Sequence, residues 1–270
     1  MAIRLCVFDL GGTIVDKYSL SPFLSLKNVF KNKGINIDNS LIFKDMGKNK
    51  HDHINLILND KSVSKDWFRV YSNYPDLLSD TQEIYEEFNR YQLNEGIQNI
   101  EILPETKKCI NLLQENNIST GVTTGFNRPI MKNIREKLIE GNIYLDNYVS
   151  STCLGKSGRP APYMINYLMD KLSLSDPRKV IKVDDTVVGL QEGINAGCIT
   201  VGVAKWSSYM KMKSYDQVLS KEEYIEKIKH SKEILMEANP DFIITSLDEL
   251  YPLIEKINYS RSLYAKLRHL

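Results

Sequence analysis

Six short apolar runs, each ending at or beside a small, turn-forming or acidic residue, constrain the fold of this 270-residue chain more than any other feature. They cover 3–8, 119–122, 148–150, 180–183, 199–203 and 242–245. Runs this short and this rich in Val and Ile have the pattern of strands buried on both faces. Each run after the first is preceded by a stretch with apolar residues at helical spacing: 105–116, 129–140, 162–172, 187–196 and 220–238. Strands alternating with helices predict an α/β fold with a doubly wound, Rossmann-like parallel sheet. In such sheets ligands bind beyond the carboxyl ends of the strands, where Asp9, Thr124 and Asp185 would project.

The stretch 20–100 departs from this alternation. It carries helical periodicity (Leu24, Leu26, Val29 and Phe30, then 53–58 and 81–91), many Asn and Lys, and no buried strand pattern. The expected organisation is therefore a core formed by 1–19 and 101–270, with an inserted all-helical cap at 20–100. At this length a core plus a smaller insert buries enough surface to be stable. Hinges are expected near 18–21 and 98–103. The charges of 220–238 read as a solvated helix face.

Charge narrows the partners. Lys and Arg number 35 against 34 Asp and Glu, a net charge of +1, so no nucleic acid or anionic membrane is expected as a partner. No apolar run approaches the roughly 18 residues that span a bilayer. The first residues meet charge too soon to read as a secretory signal. Cys6, Cys109, Cys153 and Cys198 make no CxxC pair, and Cys6 and Cys198 sit in apolar runs as expected for buried thiols. A reducing, cytoplasmic setting is the expectation.

The strand ends carry the chemistry. Asp9 closes the first run and opens Asp9-Leu-Gly-Gly-Thr-Ile-Val-Asp16. An unpaired carboxylate after a buried strand is costly, so it needs a partner or a purpose. A carboxylate serves as a nucleophile toward phosphorus when a metal ion meets its charge. Thr124-Gly125 offers a hydroxyl and backbone N–H groups suited to phosphate oxygens. Arg159, in Gly158-Arg159-Pro160, offers a planar fork for the same oxygens. Asp184 and Asp185 are adjacent carboxylates that repel unless a cation compensates, and with Asp9 they form a candidate Mg²⁺ site. Taken singly, each has a bland reading as a turn, cap or surface residue.

Together they resemble the haloacid dehalogenase superfamily. Its pattern is Asp at the first strand end, Ser or Thr at the second, Lys or Arg before a helix and acid at the fourth, and the match spans about 1–19 and 101–205. Phosphatases of that superfamily usually carry a second Asp two residues after the nucleophile, as proton donor to the leaving group. Here that position is Gly11. One branch also lacks the acid: phosphonoacetaldehyde hydrolase, or phosphonatase. Its cap segment Met-Gly-x-x-Lys-x-Asp-His is similar to Met46-Gly47-Lys48-Asn49-Lys50-His51-Asp52-His53. Further likeness lies in Tyr85-Glu-Glu-Phe88, Thr123-Thr-Gly-Phe-Asn-Arg128, Gly158-Arg-Pro-Ala-Pro-Tyr-Met164 and Glu192-Gly-Ile-Asn-Ala-Gly197.

The resemblance implies a homodimer joined through the cap and a small phosphonate as substrate. It puts Lys50 at the Schiff-base position with His53 beside it. It puts Gly12, Thr13, Met46, Thr124, Gly125 and Arg159 on the substrate, and Asp9, Gly11, Asp185 and Asp184 around Mg²⁺. The chemistry gives the lysine a reason. A carbanion is a poor leaving group, and condensing the carbonyl with an amine lets an iminium accept the electrons. Lys50 then needs a lowered pKa, from burial or from nearby cations such as Lys48.

Four departures accompany the match. The branch pattern Gly-Asp-Thr-x-x-Asp reads Asp184-Asp185-Thr186-Val187-Val188-Gly189, losing one acid and gaining another. Phe126 replaces Tyr, Ser19 replaces Cys, and Lys48 replaces an apolar residue. Two other functions stay open on the sequence: a phosphatase of a small phosphate ester or acyl phosphate, and a non-catalytic phosphate-ligand-binding protein of the same fold.

Overall fold

The computed structural model describes residues 2–267. Six strands form one parallel sheet: β1 (Leu5–Phe8), β2 (Ser119–Thr124), β3 (Asn147–Ser150), β4 (Val180–Asp184), β5 (Ile199–Val203) and β6 (Phe242–Ile244). Their order is β3-β2-β1-β4-β5-β6, every neighbouring pair parallel. The winding direction reverses between β1 and β4, and a crevice opens beyond the strand ends at such a point.

Both faces of the sheet are covered, which explains the continuous apolar strand runs. Cys6 and Phe8 face one core with Ile110, Leu113 and Ile134, while Leu5 and Val7 face another with Met164, Ile165 and Leu168. The helices Thr106–Glu115, Arg128–Glu140, Tyr163–Lys171, Val187–Asn195 and Lys221–Met236 fall within a few residues of the periodic stretches. A further helix, Leu250–Leu267, was not read from the sequence; Leu250 and Ile254 are buried in the core beside Leu247.

Between β1 and β2 the chain is helical: Leu20–Asn32, Asn39–Lys44, Lys50–Leu58, Lys61–Tyr71 and Ser79–Asn94. Phe23, Phe30 and Phe88 are fully buried there, and Phe23 stacks on Phe43 at 4.5 Å. Each such side chain stabilises the insert by roughly 1.5–3 kcal/mol through burial. Helix Lys61–Tyr71 escaped the sequence reading because most of its residues are polar or exposed.

The two chain crossings into the insert are tied together. Asp16 N–H donates to the Glu101 carbonyl at 2.8 Å, and Val15 bridges Ile102. Asp16, Tyr18 and Ser19 all hold positive φ (55°, 63° and 50°), a costly arrangement for residues with side chains. Asp16 is fixed there by Tyr215, whose hydroxyl donates to it at 2.6 Å. Cys6, Cys109 and Cys198 are buried free thiols, and Cys153 is an exposed one. Among the described residues no helix is long and apolar enough to cross a membrane.

Candidate active site

A cleft lies over the carboxyl ends of β1 and β2. Core residues Asp9, Gly11, Thr124, Gly125 and Arg159 line it from one side, and Met46, Gly47, Lys48 and Lys50 from the helical insert. Segments some 40 residues apart in sequence thus meet face to face. Phe126 and Ser19, two of the departures, also line the cleft.

Asp9 follows β1 directly, and its N–H donates to the Val183 carbonyl of β4 at 3.1 Å. This bond holds it at the reversal point of the sheet. Arg159 Nη2 reaches Asp9 Oδ1 at 2.9 Å. The guanidinium is buried and anchored from behind: Nε donates to Glu192 Oε2 at 2.9 Å, and Nη2 also donates to the Thr123 carbonyl. It is a fixed cation beside the carboxylate. Thr124 Oγ1 accepts the Phe126 N–H at 3.2 Å, which shapes the turn after β2.

Asp185, Thr13 and Gly12 do not line the cleft; they stand one layer back. Thr13 Oγ1 donates to Asp185 Oδ1 at 3.2 Å and the Ser208 N–H to Oδ2 at 3.2 Å. Gly12 has φ +73°, and a Cβ there would lie 2.4 Å from Asp185 Oδ2, so only glycine lets this turn approach the carboxylate. Oxygens of Asp9, Asp184 and Asp185 lie within 4.8 Å of one another, all three residues being buried.

The three carboxylates differ in their company. Burial, then the Asp184 and Asp9 charges, push Asp185 well above the usual carboxylate range. Burial also raises Asp9, against the pull of Arg159 and with a further push from Asp184. For Asp184 burial is outweighed by the Lys182 and Arg159 cations, which hold it below its ordinary value. Among the described residues, four buried acids, Asp9, Asp184, Asp185 and Glu192, outnumber the three buried cations near them, Arg159, Lys182 and Lys50. A hard divalent cation fits that excess and the oxygen donors.

Lys182 and Glu192 carried no role in the sequence reading. Lys182 is fully buried in β4, 2.7 Å from Thr123 Oγ1, 3.0 Å from Asp184 Oδ2 and 3.4 Å from Glu192 Oε2. The signal was a lysine inside an otherwise apolar strand. A cap role for the acid pair does not hold, because Thr186 caps the following helix through the Gly189 N–H.

On the insert, Asn49 caps helix Lys50–Leu58, so Lys50 stands at its first turn. The residue is 6% exposed, and its ammonium lies 3.7 Å from Met46 Sδ. Burial lowers its pKa to about 8, with Asp9 opposing and Arg159 assisting. Lys48 is paired instead with Asp45 at 2.6 Å, so the cation acting on Lys50 is Arg159. His53, one turn on, is fully buried, and neither ring nitrogen has a well-formed hydrogen bond. Burial and then the Lys50 charge hold it neutral, well below its usual pKa.

Two glycines stand where insert and core meet. Gly47 has φ +93°, and a Cβ there would lie 2.6 Å from Thr186 Oγ1. One on Gly125 would lie 2.8 Å from the Lys48 carbonyl oxygen. Side chains at either place would hold the two parts apart.

Comparison with known proteins shows what the chain is similar to. Residues 3–197 match the model of the haloacid dehalogenase-like hydrolase family. A protein of Latilactobacillus sakei named phosphonoacetaldehyde hydrolase is 31% identical over 256 residues, covering 94% of this chain and 96% of its own. One of the same name from Bacteroides fragilis is 29% identical, covering 99% of both chains. The crystal structure of a phosphonoacetaldehyde hydrolase like protein from Oleispira antarctica superimposes with a TM-score of 0.90 at 25% identity, covering 96% of this chain and 94% of that one.

Proposed function

Since the chain belongs to the phosphonoacetaldehyde hydrolase family of haloacid dehalogenase-like hydrolases, and is a hydrolase rather than a phosphate-binding relic, we propose that it cleaves the carbon–phosphorus bond of phosphonoacetaldehyde. The observation that carries this reading is the pairing of Asp9 and Lys50 across one cleft, with no acid at Gly11. A carboxylate nucleophile without a proton donor suits a leaving group that departs as an enamine.

The steps follow from the residues. Neutral Lys50 condenses with the aldehyde, releasing water, and protonation gives an iminium. His53, one turn along the same helix and held neutral, stands as the uncharged partner of Lys50 and adds no second cation beside the amine. Asp9 attacks phosphorus, the C–P bond breaks, and its electron pair moves into the enamine. Water then hydrolyses the aspartyl phosphate to phosphate. The enamine gains a proton at carbon, and hydrolysis of the imine frees acetaldehyde and Lys50. Arg159, with Thr124, Gly125 and Met46 on the cleft wall, positions the phosphonate, while Gly12 and Thr13 shape the turn one layer behind it. Asp9, Asp185 and the Gly11 main chain, with Asp184 beside them, would hold Mg²⁺, which would supply positive charge against the transferring group.

Borohydride reduction tests the reading. With phosphonoacetaldehyde present, one reduced adduct should be found at Lys50 by peptide mass spectrometry. Because only the neutral amine condenses, trapping should rise with pH through about 8, the value to which burial lowers Lys50. At pH 7 such a group is about one-tenth neutral. A flat profile, or label elsewhere, overturns the Schiff-base assignment. Rapid turnover of a generic aryl phosphate without any adduct would instead support an ester phosphatase.

We read 1–19 with 101–270 as the catalytic core and 20–100 as a cap hinged at the two tied crossings. The cap exposes Phe68, Tyr71, Tyr74 and Leu78, the last 81% accessible, with Phe68 and Tyr74 rings 5.0 Å apart. An apolar patch of this kind suits a second copy of the chain. Phe68→Glu with Leu78→Glu should convert a dimer to a monomer in light scattering; an unchanged mass overturns cap-mediated pairing. Free cysteines suit a reducing compartment, and we place the protein in the cytoplasm.

A further inference from the structure

A second cleft runs along the outer edge of β3, and none of its lining residues lines the first. β3 ends the sheet on that side. Helices Arg128–Glu140 and Tyr163–Lys171, packed on opposite faces of the sheet, both contribute to the cleft. Arg128, Lys132 and Arg135 enter from the first and Lys171 from the second.

The chain as a whole is nearly neutral, with 35 basic against 34 acidic residues, yet these four cations share the cleft wall with one acid, Asp146. That acid is engaged elsewhere: its Oδ2 accepts the Thr120 N–H at 2.7 Å and the Thr120 hydroxyl at 3.1 Å. Lys132 has Glu136 at 3.7 Å, a weak pair between exposed side chains. Among the described residues, Arg128, Arg135 and Lys171 have no carboxylate at ion-pair distance. Arg135 lies over the Tyr148 ring at 5.5 Å and Lys171 over the Tyr167 ring at 5.3 Å, contacts that steady each cation without neutralising it. Tyr148 is on the same wall, and its hydroxyl is buried without a well-formed hydrogen bond. The cleft is thus rich in donors and short of acceptors. Charges that guard a sheet edge commonly sit on the strand itself. Here the β3 residues on the wall, Asn147 and Tyr148, are uncharged, and the cations reach over from the flanking helices.

Spacing sets the shape of the missing partner. Arg128, Lys132 and Arg135 stand at i, i+4 and i+7, a row on one helix face about 10 Å long by the rise of a helix. A single phosphate meets only part of such a row. We propose that this cleft is an anion site, separate from the catalytic one, for a small molecule bearing a chain of two or more phosphates. The row takes the chain lengthwise, and Lys171 meets it from the opposite side.

Tripolyphosphate is the probe, titrated calorimetrically into metal-free whole protein, where it should fill one site per chain. In Arg135→Gln with Lys171→Gln, both exposed positions, its affinity should fall about tenfold or more. Inorganic phosphate with Mg²⁺ present should bind that variant as tightly as the parent; a matching loss overturns a separate site. Cys153, on the cleft wall and exposed while the other three cysteines are buried, reports the location. Tripolyphosphate should slow its alkylation by iodoacetamide with the same half-point as the calorimetric curve. Adenosine triphosphate binding more tightly than tripolyphosphate would identify a nucleotide as the source of the phosphates, and equal affinity the phosphate chain alone. No binding, equal affinity in the double variant, or an unprotected Cys153 overturns the site and leaves the cations as guards of the edge. Citrate binding as tightly as tripolyphosphate overturns the phosphate chain. The site uses neither Asp9 nor Lys50, so this reading and that of C–P cleavage fail separately.

Discussion

Lys50→Arg is expected to slow phosphate release from phosphonoacetaldehyde by about 10³-fold or more, a barrier increase near 4 kcal/mol. Arginine keeps the positive charge at the start of helix Lys50–Leu58 but stays protonated, so it forms no imine under these conditions. The loss should fall on kcat, because charge and shape near the phosphonate are largely kept. Inorganic phosphate should bind with little change, since Arg159 and the strand-end loops are untouched. Steady-state kinetics with coupled acetaldehyde detection measures it. A variant that works at full rate sinks the Schiff-base mechanism and leaves Asp9 to act on an activated substrate unaided.

Asp9→Asn removes the proposed nucleophile while keeping its outline. Turnover should fall by at least about 10⁴-fold. The variant also orders the steps. Imine formation precedes attack on phosphorus, so borohydride should still label Lys50 in Asp9→Asn when substrate is present. Loss of labelling would mean that the lysine depends on the carboxylate for more than its charge. Stability should move the other way from activity. Asp9 is one of four carboxylates in a buried cluster with excess negative charge, and burial raises its pKa. Neutralising it relieves repulsion, so without Mg²⁺ the melting temperature should not fall. A clear fall in metal-free protein would show that the Arg159–Asp9 pair supports the fold.

The sequence was legible where local pattern and chemistry coincide. Asp9, Thr124 and Asp185 each end an apolar run, so strand prediction also located the crevice. The helical insert showed itself by interrupting the strand–helix alternation. What escaped is non-local. Lys182 breaks an apolar strand, and only folding shows that Asp184, Glu192 and Thr123 surround it. Lys48 stands nearest Lys50 in sequence, which makes it the expected electrostatic neighbour. The fold turns it to Asp45 and brings Arg159 from over a hundred residues away. Gly189 read as a missing ligand; the space at that position already belongs to another residue's carboxylate. Helix Leu250–Leu267 was missed because no strand follows to mark its end.

The seam at Gly47 and Gly125 bears on timing within a turnover. The two halves of the proposed reaction make opposite demands on solvent. Breaking the C–P bond needs a dry cleft, because stray water would hydrolyse the iminium before the enamine can leave. Clearing the aspartyl phosphate needs a water molecule at Asp9. Gly125 meets the Lys48 backbone and Gly47 meets the Thr186 and Val188 side chains, and neither contact has room for a methyl group. In the proposed reaction, with 20–100 acting as a cap, these two hydrogens would set how closely it seats, and so how well one site can serve both a dry and a wet half of the cycle.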